Sequence, residues 1–188
     1  MLARGLRVLG LLDEGRLKAL NYHMGHPGAV KWADATKRIP QGDATVDVVY
    51  SSHMLEHLDR EEVRNFLREA RRVLVARGVL RIAVPDLAVQ TSQYVATGDA
   101  DSFIEGLHMS KNRPKRLIDK FAWGIIGPRH HMWMYDGVSL SRLLISNGFL
   151  DPVVLPPGQT TISDPGELDL WERSDESVYV EARAPGPP

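Results

Sequence analysis

The sequence predicts an α/β fold built on a parallel strand–helix–strand unit, and three observations carry that expectation. Val46, Val48, Val49 and Tyr50 make a short β-prone run that leads at once into a helical pattern, as a buried parallel strand does. Val63, Phe66, Leu67, Ala70, Val73 and Leu74 then share one helical face, while Arg64, Arg68, Glu69, Arg71 and Arg72 cover the other. Val79 to Val84 is a second apolar run, stopped by Pro85. Lengths of this kind define a βαβ unit, with a right-handed crossover expected. Asp59 is a suitable N-cap, and Glu62, three residues on, completes a capping box. Gly78 is expected to end the helix in a left-handed conformation.

Composition narrows the possibilities. A chain of 188 residues holds one ordinary domain with a single core, and we expect one domain over 1–188. The chain is 43% hydrophobic and 25% charged, which is globular in character. A net charge of −1 gives no electrostatic footprint for general nucleic-acid binding. There are no cysteines, so disulfides, thiol nucleophiles and Cys-ligated zinc are excluded. No apolar run approaches a membrane span. The apolar residues of Met1 to Leu12 are interrupted by Gly5 and Gly10 and lack a cleavage motif, so a cytoplasmic protein is expected.

The remaining elements follow in order. Residues 1–18 read as an N-terminal arm packed on the domain or on a partner. Leu17 to Tyr22 and Ala29 to Ala33 are strand-like, and Arg38 to Thr45 is a polar turn. Leu87 to Ala96 is expected to be helical, with Leu87, Thr91, Tyr94 and Val95 on one side. Asp99 or Asp101 is placed to cap a helix containing Phe103, Ile104 and Leu107. Within 99–127, the basic residues Lys111, Arg113, Lys115 and Arg116 are followed by Phe121, Trp123, Ile125 and Ile126, which suits a lid, a dimer surface or a grip on an acidic or lipid-like substrate. Asp136 caps a helix carrying Leu140, Leu143 and Leu144, closed by Gly148. Phe149 to Leu155 and Ser177 to Ala184 are strands joined by a turn-rich loop beginning at Pro156, and the tail 184–188 is expected to be disordered.

Ligands of open α/β sheets sit beyond the carboxyl ends of the strands. Those ends here carry Ser51, Ser52, His53, Glu56 and His57, and then Pro85, Asp86 and Leu87. A second polar and aromatic cluster runs through Arg129, His130, His131, Trp133, Tyr135 and Asp136.

Three stretches together resemble the central block of class I S-adenosylmethionine (SAM)-dependent methyltransferases, in the subgroup with a His-x-Leu-Glu-His-Leu motif. They are Val48-Val-Tyr-Ser-Ser-His-Met-Leu-Glu-His-Leu58, Glu69-Ala-Arg-Arg-Val-Leu74 and Gly78-Val-Leu-Arg-Ile-Ala-Val-Pro-Asp-Leu87. Arg129 to Asp136 and Leu143 to Phe149 are similar to the same subgroup, so the resemblance covers roughly residues 30 to 150. It implies a Rossmann-like sheet whose last two strands form an antiparallel pair. It also implies SAM as cofactor and a small-molecule acceptor, while the net charge and the lack of a long apolar run set the expectation of no nucleic-acid and no membrane partner.

The N-terminal half departs from the family. Where a Gly-x-Gly loop is expected, this chain has Asn21-Tyr-His-Met-Gly-His-Pro-Gly28, and Pro27 removes a backbone donor. The next strand follows too soon for the usual helix and second strand, so the sheet is expected to be shortened there. A homodimer arm or a partner protein is one way to complete such a pocket. The resemblance places Asn21, Gly25, Asp34, Ala35, Ser51, Ser52, His53 and Leu58 at the cofactor. Asp34 reads either as the acid at the cofactor edge or as a turn cap.

His53, His130, His131 and Tyr135 are the candidate catalytic residues, and no metal ligands are assigned. Methyl transfer from a sulfonium depends mostly on alignment, with a base helping where the acceptor is a hydroxyl or amine. His130 or His131 with His53 reads as a proton-shuttle pair, a metal pair, or plain aromatic packing. Glu56 and His57 are read as ties between the loop and the sheet. Two other functions stay open. One is a methyltransferase-like scaffold that has lost SAM. The other is a metal hydrolase, because His53-Met-Leu-Glu-His57 matches His-x-x-Glu-His; that site needs both histidines on one helical face, whereas these flank a turn.

Overall fold

The computed structural model describes residues 33–109 and 130–186. The chain divides into two compact units, Met1–Asp34 and Ala35–Pro188. The expected arm, the first strand, the 21–28 loop and most of the 99–127 insert lie outside the described residues.

The second unit is a four-stranded mixed sheet with helices. In chain order it has β1 (Val46–Ser52), a 3-10 turn (Leu55–His57), α1 (Arg60–Val73), β2 (Leu74–Pro85), α2 (Leu87–Thr97), α3 (Ala100–Gly106), α4 (Gly137–Ser146), β3 (Leu150–Leu155) and β4 (Ser177–Arg183). The spatial order is β1-β2-β4-β3. β1 and β2 are parallel across α1, as the βαβ pattern requires. β4 lies antiparallel to both β2 and β3, which bears out the antiparallel last pair.

Local chemistry sets the helix starts. The Asp59 carboxylate accepts from the Glu61 and Glu62 amides, and the Glu62 carboxylate accepts from the Asp59 amide, closing the capping box. Asp86 caps α2, Asp99 caps α3, and Asp136 caps α4 through a reciprocal pair with Ser139. Gly148 has φ +81° just after α4, a conformation open to glycine.

One face of the sheet is the core. Leu80, Ile82, Val84, Val178, Val180 and Ala182 meet Val63, Phe66, Leu67 and Ala70 of α1 and Leu140 and Leu144 of α4. Each large aliphatic side chain buried there stabilises the fold by about 1.5–3 kcal/mol before entropy is counted. The opposite face is polar. Arg81 of β2 and Glu181 of β4 face each other in register and form a 2.7 Å ion pair, 0% and 2% exposed.

Three expectations need correction. Gly78 does not end α1, which stops at Val73 and passes directly into β2; the left-handed residue is Arg77, at φ 64°. Gly78 is needed for close approach instead, since a Cβ there would lie 3.0 Å from the Val75 carbonyl oxygen and 3.1 Å from that of Asp47. Glu69 is buried rather than solvent-facing, because Arg72 folds back onto its carboxylate at 2.7 Å. Ala184 is not part of a loose tail. It is buried and continues the sheet, donating its amide to the Gly78 carbonyl at 2.8 Å.

Candidate active site

The site is built where β1 ends. Ser51 and Ser52 close the strand, and His53 leaves it at φ 47°, in the left-handed region that histidine enters more readily than most residues. That turn lifts the imidazole off the strand toward β4. His53 Nε2 lies 3.0 Å from Ser177 Oγ, and its Nδ1 lies 3.1 Å from Arg173 Nη1. A guanidinium only donates, so this arrangement makes Nδ1 the acceptor and Nε2–H the donor to Ser177. Glu56 Oε1 stands 3.3 Å from the same Nδ1.

Glu56 is 1% exposed and sits in the 3-10 turn. Neither of its carboxylate oxygens has a hydrogen-bond partner. Its backbone carbonyl accepts from the amides of Met132 and Trp133, at 2.6 and 3.2 Å, so the segment 130–133 is strapped across the turn. His131 is thereby brought beside His57, with ring centroids 5.1 Å apart, and beside His108, at 5.4 Å. Burial holds the His131 imidazole below the ordinary histidine value; the Glu56 charge pulls it up, while His57 and His108 push it further down.

The predicted residues separate in space. Asn21 and Gly25 lie outside the described residues, and Asp34, half-buried, belongs to the other unit. Ala35 and Leu58 pack against the apolar core. Ser51 is buried with an unpartnered hydroxyl, and Ser52 is half-buried. The expected pairing of His53 with His130 or His131 is replaced: His131 joins His57 and Glu56, whereas His53 joins Ser177 and Arg173. The His130 backbone carbonyl accepts from His57 Nδ1 at 3.2 Å. Tyr135 is 1% exposed, and its hydroxyl accepts from Arg60 Nη1 at 3.4 Å; burial raises its pKa. In the same strap it is Met132 and Trp133 that reach the surface, with Arg60 stacked 4.7 Å over the Trp133 ring. Leu55–His57 is a 3-10 turn with His53 ahead of it, so the α-helical histidine pair of a metallopeptidase is not formed.

Sequence reasoning missed Ser177 and Arg173, and it gave Glu56 only a tying role. A signal for Ser177 existed, since a strand antiparallel to β2 must place its first residue opposite Pro85, where the site lies. Arg173 had none, being in an irregular loop.

Residues 2–82 match the family model described as Methyltransferase domain, so the similarity reaches further toward the N-terminus than the motifs alone indicate. No curated protein is similar enough in sequence to match. The fold is similar to that of a SAM-dependent methyltransferase from Methanosarcina mazei, with TM-score 0.52 and 13% identity over 93% of this chain and 80% of that one. It is also similar to the apo form of the SAM-dependent methyltransferase SibL, with TM-score 0.52 and 15% identity over 92% of this chain and 42% of that one. The architecture is therefore the Rossmann-like sheet of SAM methyltransferases. The family model matches less than half of the chain, and these structures show the likeness of the fold. Among the described residues, no helix is long and apolar enough to cross a membrane.

Proposed function

We propose that this chain transfers a methyl group from SAM to the hydroxyl or amine of a small molecule, such as a sugar or secondary metabolite. The observation that carries this reading is the placement of His53, lifted from the carboxyl end of the parallel strand β1 and held by Ser177 and Arg173. Ligands of this sheet type bind at that edge. The described residues fit a cofactor there in part: Ser51 keeps a buried, unpartnered hydroxyl at the strand end. SAM, when bound, supplies a methyl group already activated on a sulfonium. The chain's own task is then to align the acceptor and take its proton. Arg173 is about half exposed and can leave His53 Nδ1, which then receives the proton 3.3 Å from the Glu56 carboxylate.

Isothermal titration of the full chain with SAM and with S-adenosylhomocysteine tests the cofactor. Saturable binding is expected, and no heat at high protein concentration overturns the reading. With an acceptor found by screening, His53→Asn should lower turnover at saturating SAM by about 10²–10⁴-fold. Unchanged turnover would remove His53 from the chemistry.

A further inference from the structure

We infer that Glu56, His57 and His131 form a binding site for one divalent transition-metal ion of the Zn²⁺ kind, which pins the 130–133 strap to the turn after β1. Their ligand atoms all lie within 4.8 Å of one another. Each residue also presents the atom that a metal needs. His57 donates Nδ1–H to the His130 carbonyl at 3.2 Å, which leaves Nε2 bare and 3.8 Å from Glu56 Oε1. A backbone hydrogen bond of this kind is the usual way a ligating histidine is oriented. His131 is 6% exposed; its ring is held by the Leu107 backbone, and its Nδ1 has no partner.

The decisive group is Glu56. A carboxylate with both oxygens buried and unpartnered is strongly disfavoured unless a positive charge meets it. The nearby Arg60 is turned to Tyr135 and Trp133, and Arg173 to His53 Nδ1, which removes that nitrogen as a donor to Glu56. Two imidazoles and a carboxylate are a donor set that suits Zn²⁺, and three protein ligands leave a further position for water. His57, 41% exposed at its side chain, forms the open edge and can close on the ion. This inference shares Glu56 with the proposed proton acceptor His53, but it rests on the three side chains and is decided by metal binding alone.

The test uses the full chain stripped with EDTA and titrated with Zn²⁺ by calorimetry and with Co²⁺ by visible absorption. One ion per chain is expected, together with a rise in melting temperature. Glu56→Gln and His57→Gln should each weaken binding by at least about tenfold, while Asp101→Asn, at an exposed carboxylate of α3, leaves it as in the parent. His57→Gln lies at the surface and so decides the matter even where a change at buried Glu56 or His131 unfolds the chain. Absence of binding by the parent, or equal affinity in the parent and His57→Gln, overturns the site.

Discussion

The two faces of this one sheet are stabilised by opposite means. On the helix side, apolar side chains of β2 and β4 meet α1 and α4 with almost no exposure. On the loop side, the same strands carry Arg81, Tyr179 and Glu181, and the 156–176 loop supplies polar partners for them. Glu181 accepts from Thr160 Oγ1 and Thr161 Oγ1 at 2.6 Å and from the Thr161 amide at 2.7 Å. Arg81 Nη1 donates to the Gln159 carbonyl at 3.0 Å, and its guanidinium lies 5.0 Å over the Tyr179 ring. Tyr50 and Tyr179 donate to the Asp169 and Glu172 carbonyls, at 3.0 and 2.6 Å. The lesson is that irregular backbone can cover a sheet if charge and hydroxyl groups satisfy it. Such a layer gains little net energy but depends on each of its members being present.

The sharpest test separates breaking the polar layer from replacing it. Glu181→Ala strands the buried Arg81 charge and should cost about 3–5 kcal/mol in urea unfolding, whereas Arg81→Met combined with Glu181→Leu should cost less than the single variant, because no charge is left buried alone, while the Thr160, Thr161 and Gln159 groups still lose their partners. If the single and double variants lose the same stability, the contrast between the faces fails. On the apolar face, Leu67→Ala, at a fully buried position, should cost about 2–5 kcal/mol. No apolar partner change there should rescue it as the double variant rescues the polar layer.

Acid unfolding adds a third measurement. The hydrogen bond from Arg72 holds Glu69 at about 2, against an ordinary 4.5. A depressed carboxylate stabilises the fold above its unfolded pKa and loses that contribution as pH falls toward its folded one. Burial pushes Glu181 up, but the bonds from Thr160, Thr161 and Arg81 outweigh it and leave the net value lowered, so its contribution has the same sign. Glu69→Gln should therefore flatten the stability–pH curve between about 4.5 and 2. An unchanged slope there would show that Glu69 carries no such linkage. The smallest effect expected is at Asp59→Ala, about 1 kcal/mol from the lost cap, read by thermal unfolding.

Legibility in the sequence followed the range of each interaction. The apolar stripe of α1, the caps at Asp59 and Asp136, and Gly148 closing α4 were readable, and the α3 cap was narrowed to Asp99 or Asp101, of which the structure uses Asp99, since each depends on residues within a few positions of one another. The end of α1 was misread because Gly78 answers to a contact with Asp47, in the neighbouring strand, and not to its own helix. His53 was identifiable as a strand-end group, but its partner Ser177 lies 124 positions away.

By itself, the chain's order of residues determined a parallel βαβ unit, the side of it that is apolar, and the strand end that bears polar groups. Periodicity and capping are local, so they survive without coordinates. Only the tertiary structure decided which charges are buried together: Arg81 with Glu181, 100 positions apart, and Glu56 with His57 and His131. No local rule ties residues at such separations, and only the register of the sheet and the path of the strap bring them within reach.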